Sequence, residues 1–185
     1  MNTQPELDFV RDALPELESY LLSQEIFWPM GGNQPRLTLG GMRLSLRRLH
    51  ALAASPTEQS TLSRLIVQVE AAHTRWRAAW EQKAARELRT RLTLWQNYLG
   101  DYRLNPENYA GDYPHEVRLR VIIDLLLADL PSPAPESLAL LQGLDEQLRA
   151  AFIPGNFAWE ADLAEEFPQP AYWYLYGTLR SENAK

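Results

Sequence analysis

The sequence predicts an all-α fold, an elongated bundle of five to seven helices built around one long helix. Three observations carry that expectation. Residues 57–99 contain no Pro or Gly, and Gly100 ends the run. Within it Leu62, Ile66, Val69, Trp76 and Trp80, then Leu88, Leu92, Trp95 and Leu99, recur at steps of three, four and seven, the period of one helix face. Residues 116–130 are apolar almost all round, as expected of the most buried helix in a bundle. No pair of convincing strands stands out elsewhere.

Taken in order, residues 3–27 show a helical face through Leu7, Val10, Leu14, Leu17, Leu21 and Phe27. Pro15 lacks an N–H and clashes with the preceding turn, which predicts a kink or a junction of two helices there. Residues 29–36 read as a loop. Residues 36–47 fit a hairpin turning at Gly40-Gly41, or a helix capped by Thr38 with Leu39, Met42, Leu46, Leu49 and Leu52 on one face. The helix is preferred, because 44–54 is rich in helix formers and an isolated two-stranded ribbon is marginal.

The long helix follows, with Ser55, Pro56, Thr57 and Glu58 as starting signals and Gly100 as the stop. At about 1.5 Å per residue it would span roughly 60 Å, against roughly 40 Å for a compact domain of this size, so it must kink, protrude or run the length of the bundle. Its middle, Glu81 to Glu87, has no large apolar residue and is expected to be solvated. Arg77 with Glu81, and Glu87 with Arg91, have i,i+4 spacing.

Residues 101–114 read as a loop. The apolar helix 116–130 carries two narrow polar seams, Arg120 with Asp124 and Arg118 with Asp129. Residues 136–152 predict an amphipathic helix through Leu138, Leu141, Leu144, Leu148 and Phe152. A short acidic helix over 157–167 and a last one over 172–179 complete the list. The whole, residues 1–185, is expected to be a single helical domain.

Composition narrows the function classes. Hydrophobic content of 45% and charged content of 23% fit a soluble globular chain. The absence of cysteine excludes disulfides, zinc–thiolate sites and cysteine nucleophiles. The acidic start has no apolar core of a signal peptide, and no apolar run is long enough for a membrane span, so a cytoplasmic location without membrane contact is expected. The net charge of −6 is uneven: residues 1–35 hold one basic residue against six acids, 36–103 hold twelve against five, and 104–185 hold five against thirteen. Either acidic flanks neutralise the basic middle internally, or a basic surface faces an acidic partner.

Few residues suggest chemistry. Glu70 and His73 are spaced like half of a di-iron carboxylate bundle site, with Asp124 as a further ligand, but a second Glu-x-x-His pair on a helix is missing. Arg43-x6-His50, with Arg47 and Arg48 between, offers acid–base groups for a phosphodiester. That spacing loosely resembles the Arg-x4-6-His motif of helical HEPN-type ribonucleases, but Leu44 stands where the motif has a polar residue, and the chain is not placed in that family. No phosphate loop or serine elbow is present. No catalytic residue, cofactor or metal site is therefore assigned.

The leading expectation is a non-enzymatic helical interaction or assembly module, with a protein partner or a second copy of the chain. It rests on the overlong helix and on the aromatics Trp76, Trp80, Trp95, Trp173 and Tyr174, which suit interface anchors. A nucleic-acid-associated role through Arg75, Lys83, Arg86 and Arg89 comes second and is disfavoured by overall acidity. An enzyme or small-ligand binder with an unrecognised site comes third.

Overall fold

The computed structural model describes residues 3–181. It is mostly helical: α1 (Gln4–Leu22), α2 (Leu39–Leu52), α3 (Pro56–Arg75), α4 (Arg77–Leu104), the single turns α5 (Pro106–Tyr109) and α6 (Tyr113–Glu116), α7 (Arg118–Ala128) and α8 (Pro135–Ala151). A two-stranded antiparallel sheet, β1 (Phe152–Phe157) with β2 (Tyr176–Leu179), closes the chain. Among the described residues no helix is long and apolar enough to cross a membrane.

The expected long helix is two helices. Trp76 leaves the helical region, with φ −111° and ψ 32°, so α3 ends and α4 begins around it. The break divides the labour: α3 packs on α1 and α2, while α4 packs on α7 and α8. Ser55 caps α3 in a reciprocal capping box with Glu58. Gly100 does not stop α4, which continues to Leu104 and ends before Pro106, where no N–H is available to prolong it. At 28 residues α4 is about 42 Å long.

The region 36–47 is helical from Leu39, and Thr38 accepts from the Gly41 N–H at 2.9 Å as its cap. Gly40 is required by proximity, since a Cβ there would lie 2.3 Å from Ile122 Cγ2 and 2.9 Å from Glu87 Oε1. Pro15 does not interrupt α1; it lies on the exposed face, where water can take the freed carbonyl. Residues 101–114 form helical turns in place of an open loop.

The middle of α4 corrects the sequence reading most. Lys83, Ala84 and Glu87 are buried, and the segment is not solvated. Lys83 donates to the carbonyls of Ser23 (2.8 Å) and Glu25 (2.7 Å) and lies over the Tyr20 ring, tying down the chain that leaves α1. Burial and the neighbouring Arg86 lower its pKa to about 8, so it is charged at neutral pH. Glu87, fully buried, accepts from the Gly40 N–H at 3.1 Å and from two Arg91 nitrogens at 3.0 and 3.1 Å. Arg91 also donates to Thr38 Oγ1 at 3.1 Å. This polar cluster seats the start of α2 on α4.

The apolar core is contiguous and α7 lies within it, with Val121, Ile122, Ile123 and Leu126 buried. Replacing Ile123 by Ala should cost about 2–5 kcal/mol, read from urea or thermal unfolding. One expected seam forms: Arg120 pairs with Asp124 and also with Asp145 at 2.8 Å. The other does not. Arg118 is exposed, and Asp129 turns to Arg43 and Trp80. Leu138, placed on the inner face of α8, is 43% exposed.

The C-terminal part departs from helix. Residues 157–167 keep only a short turn at Ala161–Leu163, and 172–179 becomes a turn at Trp173–Leu175 followed by β2. Leu163, Phe167, Tyr174 and Leu175 are buried as anchors. Tyr113 donates to the Tyr174 carbonyl and Tyr174 to Asp124, each at 2.6 Å, which fixes this segment to α6 and α7.

Candidate functional site

Two polar groupings that the sequence offers separately meet in one cleft. Arg43, Arg47 and His50 lie on α2, and Glu70 and His73 on α3. All five line a cavity of about 490 Å³, with Leu46, Ile66, Leu125, Ala128 and Asp129 as aliphatic and acidic walls and Glu166 at one side. Helical spacing explains the α2 set. Arg43, Leu46, Arg47 and His50 are three or four residues apart and so share one face.

Arg43 is the hub. Its Nε donates to Asp129 Oδ2 at 3.0 Å, and one terminal nitrogen donates to Glu70. The other lies 3.3 Å from His73 Nδ1. Burial opposes the guanidinium charge, but Asp129 and Glu70 outweigh it and hold the Arg43 pKa above its usual value. Trp80 packs beneath Arg43 and His73. Its indole N–H donates to Asp129 at 2.9 Å, His73 stacks on its ring at 4.6 Å, and the Arg43 guanidinium lies 5.0 Å from the ring centroid.

His73 Nδ1 is also 3.5 Å from Glu70 Oε2. A neutral ring accepts from Arg43 at Nδ1, and a protonated ring donates there to Glu70. In both states Nε2 carries a hydrogen, so His73 offers a donor. For Glu70, burial pushes the pKa up, but the hydrogen bond and charge of Arg43, with a smaller share from His73, bring it below the ordinary carboxylate range. A lowered folded pKa means that the Glu70 contribution is present above pH 4.5 and is lost as pH falls through the folded value. The melting temperatures of wild type and Glu70→Gln should therefore converge between pH 6 and pH 3.

At the rim, Arg47 Nε lies 2.7 Å from Glu166 Oε1, and His50 Nδ1 lies 2.8 Å from Glu166 Oε2. Arg47 also donates to the Glu166 carbonyl at 3.1 Å. On the other side of α2, Arg48 bonds Glu6 at 2.7 Å and approaches Glu160 at 3.8 Å. Burial raises the pKa of Glu6 despite Arg48. Acids from the flanks thus neutralise Arg43, Arg47 and Arg48 of the basic middle, while Arg64, Arg75, Arg77 and Arg89 stay exposed.

The sequence-selected aromatics divide by depth. Trp80, Trp95 and Tyr174 are fully buried, and in this structure they are core rather than surface. Trp95 stacks on Tyr98 at 5.5 Å. Trp173 is half-buried, with Arg149 3.8 Å over its ring, and Trp76 is half-buried beneath Arg75. Of the basic stripe, Lys83 is buried and Arg86 donates to the Gln24 carbonyl, which leaves Arg75 and Arg89 exposed. Asp124 does not join Glu70 and His73, because Arg120 and Tyr174 hold it. Among the described residues no group of three or more His, Cys, Asp or Glu is placed to hold a metal ion.

Sequence reasoning missed Asp129 and Glu166. Asp129 ends an almost wholly apolar helix, and that isolation was the available signal. Nothing local distinguishes Glu166 from its acidic neighbours Glu165 and Asp162. Comparison with family profiles, with curated proteins and with solved structures finds no match.

Proposed function

We propose that this protein is a non-enzymatic helical binding module whose ligand occupies the cleft between α2, α3 and α7. One observation carries the reading. The cleft of about 490 Å³ sets an aliphatic surface, from Leu46, Ile66 and Leu125, beside convergent polar groups on Arg47, His50, Glu70 and His73. Small-ligand sites combine volume and lining in this way. The implied ligand has an apolar body and at least one group that accepts a hydrogen bond. Binding is favoured over catalysis because, among the described residues, no Ser, Thr, Tyr or Lys lines the cleft, and Arg43 and Asp129 are committed to each other, Glu70 and Trp80.

The test uses phenylnaphthylamine, a neutral apolar dye that brightens on leaving water. The wild-type protein should bind it, and Ala128→Trp, which places an indole at the exposed edge of the cleft, should abolish binding without lowering the melting temperature. Binding unaffected by Ala128→Trp would reject the cleft as the site.

A second reading, association with a protein partner or another copy, has its own support. A groove along α1 and α3 is lined by Leu14, Pro15, Ala71, Ala72 and Trp76, and Val67 and Leu22 nearby in sequence are 67% and 57% exposed. Light scattering at micromolar concentration tests it, and a monomeric mass unaffected by Val67→Glu counts against self-association.

A further inference from the structure

The rim of the cleft already holds a carboxylate, supplied by the chain itself. Glu166 Oε2 accepts from His50 Nδ1 at 2.8 Å and Oε1 sits 2.7 Å from Arg47 Nε. The second contact is close but poorly aligned, so the buried Arg47 Nε has no hydrogen-bond acceptor. Arg47 is further held by the rings of Phe167 and Tyr172, each 5.9 Å away, and by the backbone carbonyl of Glu166. The cation therefore stays in place whatever the Glu166 side chain does.

The Glu166 side chain is held by its contacts with Arg47 and His50, whereas the segment around it is held by burial. Leu163 and Phe167, on either side, are fully buried and pin the backbone. The Glu166 side chain lies between them and is 20% exposed. With the Glu166 carboxylate displaced, Arg47 and His50 would face a cleft whose remaining charges, Arg43 with Asp129 and Glu70, are paired with one another.

We propose that Glu166 is an internal stand-in for the acidic head group of the cleft's ligand, and that the ligand class is a monoanionic amphiphile, a carboxylate or sulfonate on an apolar body. The apolar body lies against Leu46, Ile66 and Leu125. The head group displaces the Glu166 carboxylate from Arg47 and His50, and aligns with the Arg47 Nε–H that Glu166 leaves without an acceptor. Glu166 lowers the affinity for such a ligand by competing for the same donors. The proposal rests on the cleft being a binding site, as argued above.

Two dyes of similar size separate the two ideas: neutral phenylnaphthylamine and anionic anilinonaphthalene sulfonate. Glu166→Gln should tighten binding of the sulfonate about fivefold or more, the scale of one partly exposed ionic hydrogen bond, and leave the neutral dye within about twofold. Arg47→Gln added to Glu166→Gln should remove that gain, and decanoate should displace the sulfonate from Glu166→Gln. If the neutral dye binds and Ala128→Trp blocks it, but Glu166→Gln leaves the sulfonate unchanged or weaker, the stand-in is wrong and the cleft stands. If Ala128→Trp blocks neither dye, both ideas fall. Equal tightening of both dyes by Glu166→Gln, with a lowered melting temperature, means a loosened chain and also overturns the stand-in.

Discussion

Replacing Arg91 by Met is expected to cost about 3–5 kcal/mol, because it strands the buried Glu87 carboxylate without its cation. Glu87 has no solvent exposure, and its partners besides Arg91 reduce to the Gly40 N–H. Pairing Arg91→Met with Glu87→Gln removes the stranded charge and should recover part of the loss, since a neutral amide can still accept from Gly40. The double substitution unfolding at a higher denaturant concentration than Arg91→Met alone is the expected result. A single Arg91→Met that leaves the unfolding midpoint unchanged would mean that the α2–α4 junction is not held as described.

Trp80→Ala is expected to cost about 3–5 kcal/mol, the range for truncating a buried aromatic. Trp80 is fully buried and packs against Arg43 and His73, which line the cleft. Its loss removes the indole donor to Asp129 and the ring under His73 and Arg43, so cleft binding should fall along with stability. Trp80→Phe keeps a ring but not the N–H and should lose less. Chemical denaturation followed by circular dichroism reads both. A Trp80→Ala protein of unchanged stability that fails only to self-associate would return the ring to the surface role first expected of it.

The comparison of sequence with structure shows which signals are local. Thr38 and the Ser55–Glu58 box were legible because a cap involves residues within one turn. The burial of α7 was legible because nearly every residue is apolar. The pairing of Glu87 with Arg91 was legible from its i,i+4 spacing, but the burial of Lys83 and Glu87 was not, because only the fold brings the Ser23 and Glu25 carbonyls and the Gly40 N–H to them. The strands were missed for a related reason. Phe152–Phe157 contains Pro and Gly, and its partner lies some twenty residues on, with a bulge between Pro154 and Phe157. The break at Trp76 has no Pro or Gly to announce it; its half-buried ring lines the groove between α1 and α3.

The cleft was legible in pieces. Glu70 with His73, and Arg43 with His50, each stand out for their chemistry, but nothing in sequence spacing says that α2 and α3 present them to the same cavity. Asp129 and Glu166 come from 86 and 116 residues beyond their partners Arg43 and His50.

The most direct test of the proposed site is a two-dimensional amide NMR titration of the wild-type protein with phenylnaphthylamine. The account predicts that the largest shifts cluster on Leu46, Ile66, His73 and Leu125, with the Trp80 indole N–H moving as well. Shifts confined to the α1–α3 groove, or none at saturating dye, would contradict it.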